Sequence, residues 1–158
     1  MQIDLKRFQD TFFEEAAEHL IAIESGLLRL EESGGEPELL NTIFRSAHSI
    51  KGAAGSFGFT ELARLTHVLE NLLDQLRSGK RSPSSTLTQL LLRASDTLSE
   101  LVAATRGGVA HTVPIDPILD ALEAELGRGD EPVHAVPASP AATESSSLSR
   151  EVRIAFEP

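Results

Sequence analysis

From Leu5 onward, apolar side chains return at steps of three and four: Leu5, Phe8, Phe12, Ala16, Leu20, Ile23, Leu27 and Leu30. This spacing puts them on one stripe and predicts an amphipathic helix, running to about Glu32 and stopped by the Gly34-Gly35 pair. A second helix is predicted from Pro37, a residue suited to a first helical turn. Its inner stripe is Leu40, Ile43, Ala47, Ile50 and Ala54, and a glycine-rich turn from Gly55 to Gly58 ends it. Thr60 reads as the N-cap of a third helix, with Leu62, Leu65, Leu69, Leu72 and Leu76 on its stripe and Gly79 at its close. A fourth helix is predicted from about Pro83 to Thr105. It carries Leu87, Leu90, Leu91, Ala94, Leu98, Leu101 and Val102, and Gly107 and Gly108 follow it. A shorter fifth, Ile115 to Leu126, turns Ile118, Leu119, Leu122 and Leu126 inward.

Short connections favour antiparallel neighbours, and no segment before Arg128 alternates with period two over a useful length. The predicted fold class is therefore all-α: an antiparallel up-down bundle of four long helices plus a shorter fifth, spanning residues 1–127. Residues 128–149 are rich in Pro, Ala, Ser and Glu, a composition that predicts a flexible, disordered linker. Residues 150–158 place Val152, Ile154 and Phe156 on one face, which is a strand signature. They are expected to open a following, truncated domain.

Composition narrows the function. The formal net charge of −10 argues against nucleic acid, whose phosphates demand clustered Lys and Arg, and against an anionic membrane surface. No run reaches the roughly 18 apolar residues of a membrane span. The first twenty residues carry acids throughout and do not read as a secretory signal, so a cytoplasmic location is expected. With no cysteine, disulfides, thiolate chemistry and Cys-ligated zinc are excluded.

The chemistry gathers in the string His48-Ser-Ile-Lys-Gly-Ala-Ala-Gly-Ser-Phe-Gly-Phe59. At about 100° per residue, His48 points away from the stripe centred on Ile43, Ala47 and Ala54, towards solvent. Gly52 and Gly55 lie on nearly the same line, and Lys51 flanks it. Glycine inside a helix costs about 0.5–1 kcal/mol relative to alanine. Two of them beside an exposed histidine point either to a surface that another protein approaches closely, or to tight packing between two helices of the bundle.

In the third helix His67 and Glu70 are neighbours at i, i+3, both at the border of the leucine stripe. If the second and third helices are antiparallel neighbours, Glu70 can accept a hydrogen bond from Nδ1–H of His48. Nε2 is then left as an unprotonated, outward nucleophile. Lys51 could offset the charge of an attached phosphoryl group; alternatively Lys51 and Glu70 form an ordinary surface ion pair worth about 0–1 kcal/mol. Gly52 to Gly58 is not a phosphate loop, because no Gly-Lys-Ser/Thr follows and no strand precedes. No paired spacing joins His48 and His67 with His19 or His111, so metal is weakly supported.

The His48–Phe59 string resembles the phosphorylation-site motif of histidine-phosphotransfer domains, in particular those of CheA-type chemotaxis histidine kinases. Asp10-Thr-Phe-Phe-Glu-Glu-Ala16, Asn41-Thr-Ile-Phe-Arg-Ser-Ala-His-Ser-Ile-Lys-Gly52 and His67-Val-Leu-Glu-Asn-Leu-Leu-Asp74 extend the resemblance over roughly residues 4 to 126. The resemblance implies that His48 is the phosphoacceptor. It implies that Lys51, His67 and Glu70 form a hydrogen-bonded network around His48, and that Gly52 leaves room for a docking partner; Gly55 joins Gly52 as a docking residue by its place on the same helix face. An ATP-binding kinase domain of the same protein, acting in trans across a dimer, would phosphorylate His48. A response-regulator receiver domain would accept the phosphoryl group on an aspartate. The fragment itself would need no cofactor, ATP and magnesium being bound by that other kinase domain. Uptake should fall in acid, because the nucleophile is neutral imidazole and histidine titrates near about pH 6.5. The alternatives are the equivalent module of another multi-domain relay, such as one governing pilus motility, and a non-catalytic helical adaptor.

Overall fold

A computed structural model describes residues 2–108 and 114–129; the expected terminal strand and residues 130–149 of the expected linker lie outside them, while Arg128 and Gly129, expected to open the linker, are helical. Among the described residues five helices form, close to the predicted positions: α1 (Gln2–Ser33), α2 (Pro37–Ser56), α3 (Thr60–Arg77), α4 (Ser85–Gly107) and α5 (Asp116–Gly129). Local chemistry sets the ends. Pro37 sits in the first turn of α2, where its missing N–H costs nothing. The Ser84 side chain accepts from the Leu87 N–H at 3.1 Å, which caps α4. Thr60 is not the predicted cap: it is the first residue of α3, Phe59 holds the N-cap position, and no side chain caps that end. The Phe59 carbonyl instead accepts the Ala63 N–H at 3.0 Å.

The four long helices form a closed ring in which α1 touches α2 and α4, and α3 touches α2 and α4, with α5 laid against α3 and α4. Neighbours are antiparallel. Phe12, early in α1, packs on Phe57 just past α2, whereas Gly26, late in α1, meets Leu39 and Ile43 early in α2. A Cβ on Gly26 would lie 2.5 Å from Ile43 Cγ1, so glycine here permits the close approach of α1 and α2. The stripes read from the sequence are the core: Ile23, Leu27, Ile43, Leu65, Leu69, Leu91 and Leu98 are among its fully buried members. Their burial, at about 25 cal/mol per Å² of apolar surface, holds the ring together and sets the facing of α2 against α3.

Leu5 and Phe8 depart from the prediction, being 54% and 62% exposed. The cause is length. At 1.5 Å per residue, the 32 residues of α1 span about 48 Å, and the 20 of α2 about 30 Å. Phe12 already lies at the level of Phe57, and Phe13 lies under Arg106 at the end of α4. Among the described residues, the first turns of α1 therefore run past the other long helices and Leu5 and Phe8 have no helix to bury against. Phe12, Phe13, Phe57 and Phe59 close that end as an aromatic cluster with ring centroids 5.1–5.8 Å apart. At the opposite end Arg81 binds Glu125 Oε1 at 2.6 Å and the Glu125 carbonyl at 2.5 Å, which ties α5 to the α3–α4 connection.

Candidate functional site

The α2–α3 pairing brings His48 and Glu70 together. His48 projects outward from α2 with 62% of its side chain exposed, while Glu70 comes from α3 and is 7% exposed. The buried carboxylate divides its oxygens between two partners on α2. Oε2 takes His48 Nδ1, and Oε1 accepts from Lys51 Nζ at 2.5 Å. His48 and Lys51 stand at i, i+3 and so share a face of α2, which is why one carboxylate reaches both.

Burial pushes the Glu70 pKa up, but the hydrogen bonds and charges of Lys51 and His48 outweigh it, and the carboxyl lies below its ordinary value. Glu70 is therefore an anion at neutral pH and can only accept. It follows that His48 Nδ1 carries a proton whether or not the ring is charged, and that in the neutral ring Nε2, across from it, carries the in-plane lone pair. A fixed tautomer with an accessible Nε2 is the ground state of an imidazole nucleophile.

The two predicted glycines are exposed, and a Cβ built on Gly52 or Gly55 meets nothing within 4 Å. Helix–helix packing thus does not require glycine at either position; that requirement falls on Gly26, which the sequence reading passed over. His67 is exposed on α3 and, among the described residues, makes no hydrogen bond or ion pair. The structure therefore brings together His48, Glu70 and Lys51, sets Gly52 and Gly55 on the same open face, and leaves His67 outside the bonded network.

Periodicity also missed a stack beside the histidine. The Phe44 ring lies nearly parallel to the His48 imidazole, with centroids 6.0 Å apart and planes 11° apart. Arg77 covers Phe44, its Cζ 3.7 Å from the ring centroid, and Arg77 Nη2 donates to Asp74 Oδ1 at 2.7 Å. The available signal was the i, i+4 spacing of Phe44 and His48, which stacks side chains on successive turns. No group of three or more His, Asp or Glu side chains that could hold a metal gathers among the described residues. No helix among them is long and apolar enough to cross a membrane.

Comparison with known proteins gives concordant results. The family model described as Hpt domain matches residues 7–108. The chain is 37% identical over 142 residues to the chemotaxis protein CheA of Rhizobium meliloti (strain 1021), covering 89% of this chain and 19% of that protein. It is 45% identical over 104 residues to CheA of Salmonella typhimurium (strain LT2), covering 66% of this chain and 16% of that one. The chain thus spans less than a fifth of these curated relatives. Among solved structures, the solution structure of the histidine phosphotransfer domain of CheA superposes with a TM-score of 0.66 at 30% identity, over 75% of this chain and 91% of that one. The phosphorylated P1 domain of CheA3, in complex with CheY6 from R. sphaeroides, shares the fold at TM-score 0.71 and 22% identity, over 78% of this chain and 98% of that one.

Proposed function

The chain belongs to the Hpt domain family, and from that premise we propose that it is the phosphoacceptor and phosphocarrier module of a CheA-type chemotaxis kinase, with His48 as the acceptor. One observation carries the assignment of the residue: the exposed imidazole of His48 is held through Nδ1 by the buried, ionised Glu70. An adaptor with an idle histidine would have no use for a buried carboxylate aimed at an exposed ring, since burying that charge is costly in itself.

In the forward step Nε2 attacks the γ-phosphorus of ATP held by a separate kinase domain. The Nε2–P bond forms as the bond from phosphorus to the bridging oxygen breaks, and ADP leaves with that electron pair. The ring keeps its Nδ1 proton and becomes cationic, and the Glu70 anion beneath it offsets that charge. Lys51 holds Glu70 by its other oxygen. An ammonium has three N–H donors, so two remain to meet phosphoryl oxygens. In the second step a receiver-domain aspartate attacks phosphorus, and the N–P bond breaks towards the imidazole. Gly52 and Gly55, which leave the surface beside His48 bare, give both partners room to approach. The chain is substrate and carrier in this scheme, and ATP and magnesium belong to the kinase domain.

The test is transfer from γ-labelled ATP, with the kinase core of a CheA-type relative added in trans, to this chain and to His48→Gln. The proposal expects label on the first alone, stable in base and lost in acid. Equal labelling of both would move the acceptor elsewhere, and no label on either, from an active core, would leave the adaptor.

A further inference from the structure

A hydrogen bond through Nδ1 fixes one edge of an imidazole but not its plane. Small coupled changes in χ1 and χ2 still tilt the ring with that bond kept, and the Nε2 lone pair, which lies in the ring plane, tilts with it. In-line attack tolerates misalignment of only about 10–20°, so a bare His–Glu contact leaves the nucleophile under-determined.

The structure contains the missing restraint. The Phe44 ring is held within 11° of the imidazole plane. Phe44 is half-buried against the leucine core, the Arg77 guanidinium lies over its ring with Cζ 3.7 Å from the centroid, and Arg77 is anchored by Asp74. We infer that Phe44, clamped by the Asp74–Arg77 pair, is a positioning residue that sets the plane of the His48 imidazole and hence the direction of the Nε2 lone pair. Arg77 supports it from the second layer. The inference rests on His48 being the acceptor. It accounts for why a phenylalanine lies one turn before the histidine and why α3 places an arginine over that ring rather than over solvent alone. Its content is geometric: Glu70 selects which nitrogen attacks, and Phe44 selects the plane in which it does so.

The experiment uses the full chain with the kinase core of a CheA-type relative, ATP and magnesium. It compares wild type, Phe44→Leu, Phe44→Tyr and Arg77→Ala for kcat and KM of phosphoryl uptake, with ring signals of 15N-labelled histidine read by NMR. Phe44→Leu keeps apolar bulk and loses the flat face, and should lower kcat roughly threefold to tenfold with KM unchanged. The Nδ1–H tautomer of His48 should persist, because Glu70 is untouched, while the ring-current shift on its carbon-bound protons disappears. Phe44→Tyr restores the flat face and should restore kcat; Arg77→Ala should give a smaller loss in the same sense. Arg77 is 37% exposed, so its variant decides the matter should Phe44→Leu not fold. Wild-type kcat in both Phe44→Leu and Arg77→Ala overturns the inference, as does a loss confined to KM or a failure of tyrosine to rescue. A wild-type chain that takes no phosphoryl from an active core removes the acceptor assignment and this inference with it. A labelled wild type matched by Phe44→Leu and Arg77→Ala removes the inference alone.

Discussion

Replacing Gly52 separates what the helix needs from what a partner needs. Gly52 lies within α2, four residues before its last residue, Ser56, and an added Cβ meets no atom within 4 Å. Gly52→Ala therefore introduces no clash and removes the entropy that glycine loses in a helix. The gain should be about 0.5–1 kcal/mol, which for a domain of this size raises Tm by roughly 2–5 °C. Gly52→Gln should keep part of that gain, because Gln is also a good helix former, yet it sets a long side chain one turn from His48. If the bare surface serves docking, KM for the kinase core and for a receiver domain should rise by about tenfold, or 1.4 kcal/mol. Thermal melts and phosphoryl-transfer kinetics on the two variants read both quantities. A destabilised Gly52→Ala would refute the steric argument. A stable Gly52→Gln with wild-type KM would show that no partner comes close to this face.

Three further outcomes follow from the packing and the charge network. The folded state holds the Glu70 pKa below its ordinary value, whereas an unfolded glutamate titrates at about 4.3; its contribution is thus complete above about pH 5 and is lost as pH falls from there through the folded-state pKa. The stability difference between wild type and Glu70→Gln, measured by urea unfolding, should narrow across that window, and a flat difference would contradict the assignment. Lys51→Ala strips one of two partners from a side chain only 7% exposed and should cost about 1–3 kcal/mol; a change below about 0.5 kcal/mol would mark the pair as an ordinary surface contact. Gly26→Ala drives a methyl to 2.5 Å from Ile43 and should cost about 1–3 kcal/mol, and a neutral result would mean that α1 and α2 can separate freely.

Steps of three and four along the chain gave the helices and nearly all of the core, because one buried stripe per helix is what a bundle requires. The same periodicity misplaced Leu5 and Phe8, since it sees a stripe and not whether a neighbour is long enough to cover it. Thr60 has the chemistry of a cap, yet the α2–α3 turn puts Phe59 at that position, because Phe59 and Phe57 must reach the aromatic cluster at the bundle end. The facing of His48, Lys51 and Glu70 was legible, because i, i+3 spacing on α2 and an antiparallel α3 leave few other arrangements. His67 shares a face of α3 with Glu70 but points into solvent, a difference of side-chain direction that i, i+3 spacing does not resolve. The pairing of Phe44 with Arg77 was invisible for another reason: it joins residues 33 positions apart on two helices, and only the register of α2 on α3 brings them together.

The most direct test of the account is to phosphorylate the chain carrying 15N-labelled histidine and to identify the substituted nitrogen by NMR. Attachment at Nε2 of His48, with a proton retained on Nδ1 and hydrogen-bonded to Glu70, is the predicted result. Attachment at Nδ1, or on the exposed and unbonded His67, would contradict it.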